Sequence, residues 1–170
     1  MSTKGRTLAD MRAAWDETEA VLSTIPEDRM LSVGVTDEWS VRDLLAHIAG
    51  YERYVSALIL GDLEGRKPTT QEFYGRDDEP SAEDDVNDDT SNAWVVDYAR
   101  MQPLHATLAE YHWAHDQMIK AVEACSDADL EDPSRFPSLN GKTLLSILPG
   151  QCMGHHREHL PQLKAFASTV

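Results

Sequence analysis

The stretch of sequence that decides the fold is residues 39–48, WSVRDLLAHI. Ser40 is a favoured N-cap residue and Asp43 stands three positions later, as in a capping box, so a helix is predicted to begin here. His47 projects from the second turn of this predicted helix, which continues towards Gly61. Its apolar residues recur at helical spacing. They are Val41, Leu44, Leu45, Ile48, Val55, Leu58 and Ile59.

Three further segments show the same spacing of apolar residues, three to four positions apart. The predicted helices cover about 7–25, 92–124 and 142–167. Pro103 is expected to kink the third helix or to mark a restart, and Pro149 and Pro161 are irregularities in the fourth. Since no segment alternates with the period of two typical of strands, the sequence predicts an all-α four-helix bundle. Sites in such bundles are built from side chains that project inward from different helices.

The length of 170 residues predicts one domain, 1–170, that is large enough to bury a core. Cys125 and Cys152 form no spaced framework, which favours reduced thiols in a cytoplasm. The first ten residues lack the apolar region of a signal peptide, and no apolar run approaches the length of a membrane span. We therefore expect a cytoplasmic protein with no membrane partner.

Thirty acidic and fifteen basic residues give a net charge of -15, which repels phosphate backbones, so no nucleic-acid partner is expected. Eight of the acids crowd residues 77–89. A long, irregular acidic loop is predicted between the second and third helices, from about 61 to 91. It does not fit a calcium loop, because Thr90 stands where the turn needs glycine and Val96 where it needs glutamate.

His155 and His159 stand four positions apart on the fourth predicted helix, a spacing that places two imidazoles on one helical face. The neighbouring apolar positions put that face towards the core; they are Leu144, Leu148, Cys152, Leu160, Leu163 and Phe166. With His47, three neutral imidazoles could bind one divalent ion and leave a coordination position open for water or substrate. The alternative is that these histidines are partly buried and bonded to neighbouring carbonyls.

Other polar residues near this pattern are candidate contributors to a site. Glu52, five positions after His47, is a candidate for orienting an imidazole or a bound water. His115 is a candidate neighbouring donor or fourth ligand, although a histidine bonded within the bundle is favoured. His156 is expected to flank the metal face, and Cys152 to behave as a small apolar residue.

The pattern His155-x-x-Glu158-His159 also matches the inverted zinc-protease motif, in which the glutamate is the general base. That class needs an acidic ligand further along the chain. No Asp or Glu follows Glu158, so the protease interpretation is disfavoured and Glu158 is expected to face solvent.

Residues 39–48, followed by Tyr51-Glu52, resemble the second-helix signature of the DinB/YfiT-like metalloenzyme superfamily. The segments at 92–94, 103–108 and 155–162 look like the corresponding parts of small DinB-like four-helix proteins, including those near the ClbS/DfsB-type group. The resemblance covers nearly the whole chain.

This resemblance implies that His47 is the first metal ligand and that His155 and His159 are the pair on the last helix. It implies zinc, nickel or an iron-type divalent ion as the cofactor, and a homodimer. A minority of the family are transferases or isomerases that use a low-molecular-weight thiol, so the resemblance also implies such a thiol as a candidate cofactor. The family name refers to damage-inducible expression and implies no DNA contact.

The leading hypothesis is a divalent-metal-dependent enzyme that acts on a small-molecule substrate, by hydrolysis or by thiol-dependent transfer or isomerisation. A thiol cofactor would need a cationic patch for its carboxylates, and Arg53, Arg100 and Lys142 are candidates scattered along the sequence. The first alternative is a metal-independent small-molecule binding or resistance protein. The second is an interaction protein whose bundle has no working site.

Overall fold

Helices make up the regular structure of the computed structural model, which describes residues 1–36, 38–78 and 88–169. Their bounds are α1 Thr3–Leu22, α2 Val41–Glu64, α3 Thr70–Tyr74, α4 Asp88–Arg100, α5 Leu104–Glu123, α6 Asp127–Glu131, α7 Leu144–Gln151 and α8 Met153–Ala167, with a 3₁₀ turn at Pro137–Leu139. The long helices α1, α2, α5 and α8 pack against one another. The all-α class is confirmed. In the described ranges no helix is long and apolar enough to cross a membrane.

Helix α2 lies at the centre of the packing and begins with the expected capping box. The Ser40 hydroxyl accepts a hydrogen bond from the Asp43 amide at 3.3 Å, and the Asp43 carboxylate accepts one from the Ser40 amide at 2.9 Å. Arg100 of α4 donates to the same carboxylate at 3.1 Å. The helix continues past Gly61. Glycine fits at this position because a Cβ there would lie 2.9 Å from the Arg66 carbonyl oxygen and from the Pro68 ring. The helix ends at Gly65, which has a φ of 67°.

The apolar core has two parts, separated along the helices by a polar layer. One part contains Met11, Ile59 and Met118, and the other contains Leu44 and Leu163. On every long helix, one or more buried polar residues separate the residues of the first apolar cluster from those of the second. They are Thr18 on α1, Glu52 on α2, His115 on α5, and His155 and His156 on α8.

The long connection between α2 and α4 is only partly the irregular loop expected from the sequence. The short helix α3, with its own capping box between Thr69 and Glu72, occupies part of it. The acids Glu79, Glu83, Asp84 and Asp85 lie outside the described residues, as does Asn87 of the rejected calcium pattern.

The third and fourth predicted helices are each divided in two. Pro103 caps the start of α5 after α4 has ended at Arg100, so it marks a restart. The fourth helix breaks at Cys152, where φ is -141° and ψ is -97°. Pro149, which lacks an amide hydrogen, lies in the last turn before this break. After it, Gly154 approaches the Pro149 carbonyl so closely that a Cβ at Gly154 would lie 2.2 Å from that oxygen.

Replacing Gly154 by Ala is expected to destabilise the protein by about 1–3 kcal/mol or more, since the new methyl group would overlap backbone that cannot move aside. Gly150→Ala is the matched control, because a Cβ at Gly150 meets no atom within 4 Å and alanine favours the helix. Urea unfolding of the two variants measures the difference. Equal stability would mean that the break at Cys152 is not held by this close approach.

Candidate metal centre

Three histidines from two helices meet beside a cavity in the bundle. His47 comes from α2, and His155 and His159 come from successive turns of α8. One ring nitrogen from each lies within 4.8 Å of the other two. The closest pair is His47 Nε2 and His155 Nε2, at 2.8 Å. The structure therefore brings together the three residues that the sequence selected.

Two side-chain amides hold the outer nitrogens of this triad. Asn92 Oδ1 lies 2.8 Å from His47 Nδ1, and Gln162 Oε1 lies 2.8 Å from His159 Nδ1. An amide oxygen only accepts, so each contact places the proton on Nδ1 and leaves the Nε2 lone pair directed at the cluster. Metal-binding histidines in proteins are usually oriented by such a second partner. Neither amide was predicted from the sequence, although Gln162 stands one turn after His159.

Burial keeps two of the three histidines, His47 and His155, uncharged. It is the main cause that lowers the pKa of His47 to about 4, against the opposing effect of the Asn92 hydrogen bond. Burial, together with the neighbouring His47 and His159, lowers the pKa of His155 to about 3. The Nδ1 atom of His155 is buried and has no hydrogen-bond partner among the described residues. At neutral pH His47 and His155 therefore offer neutral imidazole nitrogens, the form that binds metal ions.

The cavity next to His47 has a volume of about 490 Å³. Its walls are rich in aromatic side chains from α2, α3 and α4: Tyr51, Tyr54, Phe73, Tyr74, Trp94 and Tyr98. Tyr51 lies edge-on to both His47 and His155, with ring centroids 5.0 and 4.8 Å away. The hydroxyl of Thr107, which also lines the cavity, is buried and has no partner in the part of the chain described. A mostly apolar cavity with a few polar groups is typical of a small-molecule site.

A buried arginine fixes one wall of the cavity. Arg53 of α2 forms a two-pronged ion pair with Glu110 of α5, with Nη2 2.6 Å from Oε2. Its Nη1 donates to the carbonyl of Gln71 in α3 at 3.0 Å, and its guanidinium lies over the Trp113 ring at 4.0 Å. The three helices are thus connected through one side chain. Of the three cations considered for a thiol cofactor, Arg53 is occupied by these contacts, Arg100 is paired with Asp43, and Lys142 is exposed.

Glu52 does not lie beside the histidine triad, and the role considered for it there is corrected. Five helical positions turn a residue about 140° from His47, which directs the Glu52 side chain to another face of α2. Its Oε1 atom lies 3.3 Å from His115 Nδ1, 3.3 Å from His156 Nε2 and 2.9 Å from Cys152 Sγ. This second group is fully enclosed.

Two further expectations for α8 differ from the structure. His156, expected on the flank, has no exposed surface, and Cys152 donates to a carboxylate instead of contacting only apolar groups. The reason is that α8 packs on α1 as well as on α2, so its buried face is wide enough for both His155 and His156. Glu158 is exposed, as expected.

The metal-free protein is expected to lose stability as the pH falls from about 6.5 towards 4. The folded pKa values of His47 and His155 lie below the usual 6.5, so the unfolded chain binds more protons in this range. The loss should be roughly 3–4 kcal/mol between pH 7 and pH 5. Urea unfolding with a chelator present measures it. His47→Gln should show a smaller loss, and an unchanged one would contradict the assignment to this site.

A family model described as the DinB superfamily matches residues 10–163, which is most of the chain. The resemblance inferred from residues 39–48 and the later segments is therefore confirmed. No curated protein matches the sequence significantly.

Solved structures share this fold over their whole length. An uncharacterised protein from Escherichia coli UTI89 is 17% identical with a TM-score of 0.76, covering 99% of this chain and 95% of that one. A protein from Streptococcus pneumoniae is 12% identical with a TM-score of 0.80, covering 100% of this chain and 93% of that one. At these identities the likeness establishes the fold alone.

A third structure contradicts the expectation that nucleic acid is excluded as a partner. The colibactin self-resistance protein ClbS, solved in complex with a double-stranded DNA, is 12% identical with a TM-score of 0.72, covering 100% of this chain and 98% of that one. The exclusion rested on the net charge of -15. Net charge describes a long-range field that salt screens within about 10 Å, so it does not decide what a local surface contacts.

Proposed function

This chain belongs to the DinB superfamily, and we propose that it is a divalent-metal-dependent enzyme acting on a small molecule. His47, His155 and His159 are the proposed ligands of a zinc, nickel or iron-type ion. The observation that carries the proposal is the position of His47, which belongs to the histidine cluster and also lines the cavity. A molecule in the cavity would therefore lie next to the metal ligands.

The residues present fit such an ion. Asn92 and Gln162 hold two of the imidazoles so that their Nε2 lone pairs face the cluster. The Nε2 atoms of His47 and His155 lie 2.8 Å apart, as in an N–H···N hydrogen bond between two neutral imidazoles, and both atoms face the point where an ion would bind. A divalent ion bound there would polarise a carbonyl and lower the pKa of a bound water or thiol. Three histidines leave coordination positions open.

The chain's own residues would bind and orient the substrate. The aromatic walls favour an apolar or planar group, and the unpartnered hydroxyl of Thr107 is available to bond a polar atom of the substrate. Of the reactions considered, hydrolysis requires the fewest groups from the site, because it uses no thiol cofactor. A thiol cofactor would need cations for its carboxylates, and Arg53 is already bonded to Glu110.

The second candidate is a metal-independent binding or resistance protein. The aromatic cavity favours it, and so does the likeness in fold to ClbS, which is named a self-resistance protein. Such a protein would bind its ligand equally well after the metal is removed.

The metal proposal predicts that His159→Ala weakens the binding of zinc added to the folded, metal-free protein by several kcal/mol, because one of three ligands is lost. His159 is only partly buried, so the variant is expected to fold. His105→Ala is the matched control, since it removes an exposed histidine far along the chain from the triad. Calorimetric titration measures both, and equal affinities would overturn the ligand assignment.

The enzyme proposal predicts that 4-nitrophenyl acetate, a small aromatic ester, is hydrolysed at least about tenfold faster by the zinc-loaded protein than by the chelator-treated protein or by His159→Ala. The release of nitrophenolate is followed by absorbance. Equal rates in all three samples would remove the support for hydrolysis. A ligand-induced rise in Tm that persists without metal would then favour the binding protein.

A further inference from the structure

We propose that the polar group at the centre of the bundle, Glu52, His115 and His156, is a second divalent-metal site that binds a zinc-type ion. Each residue comes from a different helix: α2, α5 and α8. One ligand atom from each lies within 4.8 Å of the others. All three side chains are buried, with exposures of 0% for Glu52, 5% for His115 and 0% for His156.

The distances in this cluster fit metal ligands as well as long hydrogen bonds. Glu52 Oε1 lies 3.3 Å from both His115 Nδ1 and His156 Nε2. A direct N–H···O bond is usually about 2.9–3.0 Å long. An ion that holds four ligands tetrahedrally at roughly 2.0–2.1 Å keeps adjacent ligand atoms about 3.3–3.4 Å apart. Both separations from Glu52 Oε1 therefore leave room for an ion between the three ligand atoms.

The hydrogen bonds around His156 also call for a cation. The Thr18 hydroxyl has one proton, and it donates to the Ala14 carbonyl at 3.0 Å. The hydroxyl oxygen therefore accepts from His156 Nδ1, which lies 3.3 Å away. With its proton on Nδ1, neutral His156 directs an Nε2 lone pair at the Glu52 carboxylate. Two lone pairs facing each other in a dry core need a metal ion or an extra proton between them.

The carboxylate has further binding capacity that the protein leaves unused. Glu52 Oε2 is buried and has no hydrogen-bond partner among the residues described. The hydroxyl of Tyr111, whose ring centroid lies 6.0 Å from that of His156, is likewise buried without a partner in those residues. Buried polar atoms are rarely left unpaired in native proteins, and a bound ion is a recognised reason for such exceptions.

The surroundings indicate a structural site. Trp15 stacks on His115 with ring centroids 4.0 Å apart, and it also stacks on Tyr111 at 4.5 Å. None of the three ligands lines the cavity beside His47. An ion at this site would therefore be taken up while the bundle folds, whereas the histidine triad can exchange its ion through the cavity. Two histidines and a carboxylate are common ligands of zinc.

The test is the number of zinc ions per chain after refolding. The full chain is unfolded in urea with a chelator, freed of chelator, refolded with Zn²⁺, passed through a desalting column and analysed for zinc. Wild type should retain two ions per chain, and His159→Ala and Glu52→Gln should each retain one. Glutamine preserves the size of Glu52 and removes the charged ligand. His115→Gln is the second variant, used if Glu52→Gln does not refold.

The outcomes separate this proposal from the proposed function. One ion in wild type and in Glu52→Gln, with none in His159→Ala, would overturn the second site and leave the histidine triad intact. One ion in wild type and in His159→Ala, with none in Glu52→Gln, would support the second site and remove the triad. No zinc in any sample would overturn both sites.

Discussion

The structure depends on one buried carboxylate, Glu52, at the point where the long helices meet. A charge without solvent contact is tolerated only when donors or cations surround it. The burial of Glu52 favours its neutral form and raises its pKa, but the contacts with His115 and His156 outweigh this and lower the pKa to about 2. These partners lie on α5 and α8, and Cys152 stands between α7 and α8. The carboxylate therefore fixes how far each helix can slide along α2.

The break in the last helix follows from the same requirement. If the helix were continuous through Cys152, the buried face of α8 would continue in the direction set by α7. The irregular backbone there lets α8 begin in a new direction, with His155 towards the cavity and His156 towards Glu52. The contact of Gly154 with the Pro149 carbonyl shows how tightly the two segments meet. The irregular backbone at Cys152 thus allows the adjacent residues His155 and His156 to contact two different polar groups, the histidine triad and Glu52.

The sequence predicted those features that depend on local spacing. The capping box of Ser40 and Asp43 defined the start of α2, and the four-residue interval between His155 and His159 selected the triad. His156 and Cys152 were assigned wrongly because a single apolar stripe was assumed for α8, whereas the helix is buried on two sides. Glu52 was assigned wrongly because five positions along α2 turn it away from the face of His47. The residues that form the cavity walls could not be predicted from local spacing. Their position depends on Arg53, whose partners Gln71 and Glu110 are far away in sequence.

The division of the polar layer into two groups has a chemical consequence if both bind metal. Three neutral imidazoles leave the full double charge of a divalent ion in place, so a ligand at the triad meets a strong Lewis acid beside an open cavity. At the second group the carboxylate of Glu52 neutralises part of that charge, and Trp15 and Tyr111 enclose it. An ion there is a weaker Lewis acid without access to substrate, and its effect is to connect α2, α5 and α8. The position of a single carboxylate thus separates a site suited to chemistry from one suited to holding the bundle together.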